Sequence, residues 1–134
     1  PGYGLSTVEA SRPGNTYSLE TLAEIGDQLG SGDELYFVLG WDSLAQFPGW
    51  YAPERIMRLC RLVAVPRPGY PRPDVSAMEE ALPGITERVV LLDEPQIDLS
   101  ASRIRERVAA GQPIGDLVPA AVAAYIEEHR LYRR

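Results

Sequence analysis

The chain has 134 residues, 45% hydrophobic and 24% charged, with a formal net charge of -6; this suits one globular domain whose surface repels nucleic acid. No apolar run approaches the roughly 20 residues of a membrane span and residues 1–10 carry no signal-like pattern, so a cytoplasmic protein without nucleic-acid or membrane partners is expected. Single Cys60 and single His129 exclude a disulfide framework and a multi-ligand Cys or His metal centre, and the absence of lysine removes P-loop and Schiff-base chemistry.

Leu19, Leu22, Ile25 and Leu29 fall on one face after Ser18 and predict a helix that Gly30 and Gly32 stop. Leu35 to Leu39 is a continuous apolar run ending at Gly40, the pattern of a strand buried on both faces. A helical turn is expected between Asp42 and Phe47, and a loop over the FPGWY segment. Pro53 to Cys60 reads as a helix with Ile56, Leu59 and Cys60 on one face. Leu62 to Val65 reads as the next strand, closed by PRPGYPRP. Val75 to Leu82 reads as a helix, Arg88 to Leu92 as a third buried strand, and Ser102 to Ala110 as a helix capped by Gly111. In the last helix Val118, Val122, Tyr125 and Ile126 share a face, and Pro119 fits the first turn.

Strands alternating with helices imply an α/β fold, a doubly wound and mostly parallel sheet with helices on both faces, and a single domain over residues 1–134. Ligands in such folds sit beyond the carboxyl ends of the strands. Gly40 to Asp42, Pro66 to Gly69 and Asp93 to Ser102 therefore lie at the expected ligand edge.

Three constellations at that edge carry chemistry. Gly40 lets a nucleotide approach the backbone, and the Asp42 carboxylate can accept from both ribose hydroxyls; the same pair suits a strand-ending glycine and a turn-capping aspartate. In LSASRIRER, Leu99 and Ile104 are apolar anchors. Ser100 and Ser102 stand at a helix start, followed by Arg103, Arg105 and Arg107. Free N–H groups, the helix dipole and a guanidinium can converge there on a phosphate. Arg103 and Arg107 share a stripe and Arg105 points elsewhere, and a serine-capped surface helix has the same residues. In FPGWY, the Trp50 indole can stack on a flat heterocycle or fold back as a lid on the core. Cys60 is expected to pack inertly and His129 to meet terminal carbonyls. Glu79, Glu80, Glu127 and Glu128 are expected on solvated faces.

Taken in order, five segments resemble the bacterial nicotinate-mononucleotide adenylyltransferase family of nucleotidyltransferases from about Val8 to Tyr132. They are TVEASRPGNTYSLETL, FVLGWDSLAQFPGWY, VAVPRPGY, LSASRIRER and LVPAAVAAYIEEHRLY. The resemblance implies a Rossmann-like nucleotide-binding domain and an enzyme of NAD synthesis. Such an enzyme transfers an adenylyl group from ATP to nicotinate mononucleotide with Mg2+, releasing pyrophosphate. It implies Gly40 and Asp42 at the adenosine end of ATP, and Ser100, Ser102, Ile104 and Arg105 at its base and phosphates. Trp50 would stack on the nicotinate ring, and Ser18 and Tyr51 would hold the pyridine carboxylate, largely through backbone N–H groups.

Trp41, Ser18 and the L-S-A-S start depart mildly from the family pattern. The family's opening strand, G-G-x-F-D-P loop and H-x-G-H helix do not occur in these residues, so the resemblance implies an amino-terminally incomplete domain with its first strands missing. No catalytic residue is assigned within the chain, no metal ligand is assigned, and the polypeptide alone is expected to be inactive, with an apolar sheet edge and helix face exposed. A related adenylyltransferase using phosphopantetheine or nicotinamide mononucleotide, and a non-catalytic nucleotide-binding module, are the alternatives. A homo-oligomer is left open.

Overall fold

Three short strands, all parallel, form a sheet in the order β1-β2-β3 in a computed structural model that describes residues 2–133. The chain divides into two compact units, one ending at Gln96 and one beginning at Ile97. The first holds α1 (Ser18–Gly26), β1 (Tyr36–Gly40), α2 (Trp41–Gln46) and a 3-10 turn (Phe47–Gly49). It continues through α3 (Pro53–Leu59), β2 (Arg61–Val65), α4 (Val75–Met78), α5 (Ile85–Arg88) and β3 (Val89–Leu91). The second holds α6 (Ala101–Ala109) and α7 (Ala120–Glu128).

Pairing registers Phe37 with Leu62 and Leu62 with Val89, then Leu39 with Ala64 and Ala64 with Leu91. Alternation along a strand therefore puts these six on one face. Leu39, Leu62 and Ala64 are buried there with Leu19 and Leu22 of α1, Leu44 of α2, Phe47, Ile56 and Met57 of α3, and Ile85 of α5. Leu62 is fully enclosed, so truncating it to alanine should cost about 2–5 kcal/mol. The opposite face is open: Val38 is 62% and Tyr36 48% exposed, and Val90 is also exposed.

That open face corrects the expectation of strands buried on both sides. The apolar runs are real, but within this unit the buried helical residues join one cluster on one face. Other departures are local. α1 stops at Gly26, and Gln28 and Leu29 then close tighter turns on Ile25 and Gly26, leaving Leu29 exposed. In α3 it is Met57, not Leu59, that joins Ile56 and Cys60 in the core.

The expected helix over Val75 to Leu82 is α4 alone followed by turns, and a second short helix, α5, precedes β3. Pro83 has no N–H to continue a helix, and Gly84 takes the left-handed conformation at φ 87°. Glu79 is not simply a solvated side chain: its carboxylate accepts from the Gly84 and Thr86 N–H groups and the Thr86 hydroxyl, occupying donors that the start of α5 leaves free.

In the second unit α6 begins at Ala101 with Ser100 as its cap, and Gly111 follows it at φ 67°, the expected left-handed stop. α7 presents less of a core face than its spacing predicts. Ile126 is buried, but Val122 and Tyr125 are exposed, and Val118 precedes the helix.

The Gly84 N–H, then the Thr86 N–H and hydroxyl, hold the Glu79 carboxyl below its ordinary titration range. A depressed carboxylate adds stability above its unfolded value that is lost as pH falls through the folded value. Urea midpoints of the wild type and Glu79→Gln should therefore differ most near neutral pH and converge in acid; a gap unchanged from pH 7 to pH 3 refutes the carboxylate cap.

Candidate functional site

Parallel pairing of β1 and β2 aligns Gly40 with Val65, so the segments that follow them, Trp41-Asp42 and Pro66-Arg67, leave the sheet side by side at its carboxyl edge. Gly40 is extended at φ -76° and serves as the N-cap of α2. A β-carbon there would collide with Asp42 Oδ1 and lie 3.9 Å from Arg67 Cδ. The first reason for glycine is thus room for the aspartate's own carboxylate.

Asp42 sits in the first turn of α2, its side chain 13% exposed. Its Oδ2 accepts from Arg67 Nη1 at 2.7 Å. Asp42 Oδ1 and Trp41 Nε1 are buried with no hydrogen-bond partner among the described residues. Enclosed polar atoms of this kind are uncommon and costly. Trp41 itself packs in the core, so the departure from a small residue at this position fills volume.

A second cluster forms where the aromatic loop meets α1. Trp50 is half-buried, its ring centroid 5.4 Å from Phe47 and 6.1 Å from Phe37. Tyr51 is exposed and lies 4.8 Å from Tyr17. Thr16, Tyr17, Ser18, Trp50, Tyr51 and Ile56 line one cavity of about 160 Å³. Ser18 is thus brought together with Trp50 and Tyr51, which lie more than 30 residues further along the chain. Trp50 serves both as a partial lid on the core and as a wall of the cavity.

Ala52, which caps α3, is held at φ 48°, a conformation costly for a residue with a β-carbon. Arg12 lies in the segment that leads to α1. Its guanidinium donates to Thr21 Oγ1 at 3.0 Å and Glu24 Oε2 at 2.8 Å, while Thr21 donates to Glu9, tying the segment before Ser18 to α1. A larger recess of about 550 Å³ lined by Arg72, Asp74, Thr86 and Val89 contains none of the residues selected from sequence.

In the second unit Ser100 Oγ accepts from the Arg103 N–H at 3.2 Å and caps α6. Arg103 lies 3.5 Å from Asp98, and Arg107 donates to Asp116 at 2.8 Å and to the Pro113 carbonyl. Arg105 donates to the neutral Ser102 hydroxyl at 3.1 Å. Of the three arginines on α6 it is the one without an acidic partner among the described residues. Leu99 is 44% exposed and Ile104 is half-buried, so neither is the apolar anchor that the sequence predicts. The cap of Ser100 and the charge of Arg105 occupy different places on the helix, and both readings of LSASRIRER hold in part.

No group of three or more His, Cys, Asp or Glu side chains capable of holding a metal occurs among the described residues.

Comparison with known proteins follows the same lines. A family described as cytidylyltransferase-like matches residues 6–107. A probable nicotinate-nucleotide adenylyltransferase of Dehalococcoides mccartyi strain CBDB1 is 47% identical over 134 residues, the whole of this chain and 66% of that protein. The corresponding protein of Roseiflexus sp. strain RS-1 is 43% identical over 133 residues, 99% of this chain and 65% of that one. The chain thus spans about two-thirds of the length of these relatives. The fold is that of a Plasmodium falciparum nicotinic acid mononucleotide adenylyltransferase solved in complex with APC. The TM-score is 0.67 at 18% identity, covering 91% of this chain and 61% of that one.

Two further groups are His129 and Cys60. His129 contacts the Tyr125 carbonyl through Nδ1 at 3.0 Å and stacks on the Tyr125 ring. Cys60 is buried, its Sγ donates to the Ile56 carbonyl, and burial pushes the thiol up to about 11. The reactive thiolate is therefore scarce at neutral pH. An aromatic disulfide reagent at pH 8 should leave Cys60 unmodified until urea unfolds the chain; labelling at the rate of a free thiol in the native protein contradicts this.

Proposed function

The chain belongs to the cytidylyltransferase-like family, and on that premise we propose that it serves adenylyl transfer from ATP to nicotinate mononucleotide. The mononucleotide 5′-phosphate oxygen forms a bond to the α-phosphorus of ATP, and the bond from that phosphorus to the bridging oxygen of the leaving pyrophosphate breaks. Nicotinate adenine dinucleotide and pyrophosphate result, a step of NAD biosynthesis in the cytoplasm. Residues 1–134 act in it as part of one nucleotide-binding domain.

The observation that carries this reading is the cavity shared by Ser18, Trp50 and Tyr51. An indole face, a phenol and the N–H groups at the start of α1 suit a flat ring bearing an anionic substituent. A phosphopantetheine arm offers no such ring. Gly40 and Asp42 serve the adenosine end of ATP, with the carboxylate accepting from the ribose hydroxyls. Ser100, Ser102, Ile104 and Arg105 serve its base and phosphates, and Arg105 is supported by its lack of an acidic partner among the described residues. These groups bind, orient and neutralise charge, which is the main source of rate in such a transfer. Mg2+ accompanies ATP, and no step is assigned to a metal held by this chain.

Asp42→Ala should weaken ATP binding about tenfold or more, as expected for a lost hydrogen bond to a charged group. Trp50→Ala should weaken nicotinate mononucleotide binding, with Trp50→Phe separating ring stacking from loss of packing on Phe37 and Phe47. Calorimetry on the intact protein checks both; unchanged affinities refute the assignments. The 134-residue polypeptide by itself, whose one histidine caps α7, should give negligible turnover, and robust dinucleotide synthesis by it would overturn that expectation.

A further inference from the structure

We propose that Arg67 makes the carboxyl edge of β1 selective for ribonucleotides over uncharged ribonucleosides, an inference that rests on Asp42 being the ribose-binding carboxylate. In the arrangement observed, the Asp42 carboxylate is 13% exposed and leaves little room for a ligand. Oδ1 is buried, and Oδ2 is held by Arg67 Nη1 at 2.7 Å. The Arg67 stem also crosses Gly40, with Cδ 3.9 Å from where a β-carbon would stand. A sugar can reach this carboxylate only if Arg67 moves.

Arg67 has somewhere to go. Its side chain is 51% exposed, and its guanidinium carbon lies 5.5 Å from the centre of the Tyr70 ring. Tyr70 is fixed by a tight turn. Its N–H donates to the Arg67 carbonyl at 3.0 Å, and Gly69 at φ 88° follows Pro68, the arrangement of a type II turn. An arginine can keep an aromatic face while its fork changes partner.

Ligand charge then decides the cost of that exchange. A ribose diol is neutral, so a nucleoside that takes Asp42 leaves the guanidinium without its anion. A nucleotide brings phosphate oxygens that a guanidinium can grip with two parallel hydrogen bonds. Arg67 thus competes with the sugar and assists the phosphate, and the same side chain penalises one ligand class while rewarding the other.

The test is calorimetry on the intact protein with ATP, adenosine and 2′,3′-dideoxyadenosine, for the wild type, Arg67→Met, Arg67→Lys and Asp42→Asn. Arg67→Met should tighten adenosine binding about threefold, the scale of a partly exposed ion pair, and weaken ATP binding about tenfold. Arg67→Lys should keep part of the preference for ATP. Weaker adenosine binding by Arg67→Met would mean that Arg67 only positions Asp42, and an unchanged ATP-to-adenosine ratio would remove any part in selectivity; either overturns the inference. Should the wild type or Arg67→Met bind dideoxyadenosine as well as adenosine, the ribose role of Asp42 falls and this inference with it. If that discrimination stands and the Arg67 ratio does not move, only the role of Arg67 is lost.

Discussion

Hydrogen bonding of β1 to β2 in parallel register sets Leu39 beside Ala64 and Gly40 beside Val65, and the geometry of the carboxyl edge depends on that alignment. Two segments that leave adjacent strands at the same level must run side by side. That is why Asp42 meets Arg67 across 25 residues of sequence. A slip of one residue would exchange the two faces of β1, sending Val38 into the core and Leu39 out of it. The burial of Leu39 and the exposure of Val38 therefore secure the same register that brings the carboxylate and the guanidinium together.

The core serves the aromatic cavity in a similar way. Phe47 is fully buried and Ile56 nearly so, and the loop between them is short, with Trp50 leaning on Phe47 and Phe37. Its remaining freedom is reduced further by Pro53, buried at the start of α3, and by Ala52 in the left-handed conformation. On the other side, the ties from Arg12 to Thr21 and Glu24 hold the chain ahead of Ser18 against α1. The cavity walls come from a loop and a helix start, but each wall is anchored to buried or ion-paired groups.

The arginines differ in their partners. Arg107 is bound to Asp116 and a carbonyl, and Arg103 stands near Asp98. Among the described residues Arg105 meets a hydroxyl and no acid, and Arg67 is paired to the carboxylate proposed to grip a sugar. In a chain without lysine, arginine is the cation on which the proposed phosphate contacts rest. Sequence spacing separated Arg105 from its neighbours on α6, but the Asp98 and Asp116 partners that distinguish it come from loops.

Several features of this protein were determined by residues close in sequence. The apolar run ending at Gly40, the proline and glycine breaks, the serine ahead of α6 and the glycine after it all act through local backbone preference, and each strand and most helices formed where those preferences put them. The family resemblance was likewise legible, because its motifs are contiguous. Tertiary structure alone decided which side of the sheet is covered, since Val38 and Leu39 are equally apolar and only packing distinguishes them. It alone gathered Ser18, Trp50 and Tyr51 around one cavity, gave Glu79 its donors, and set Arg67 on Asp42. Such contacts join residues far apart in the chain, and their partners are chosen by strand register and helix packing, which no local pattern of side chains encodes.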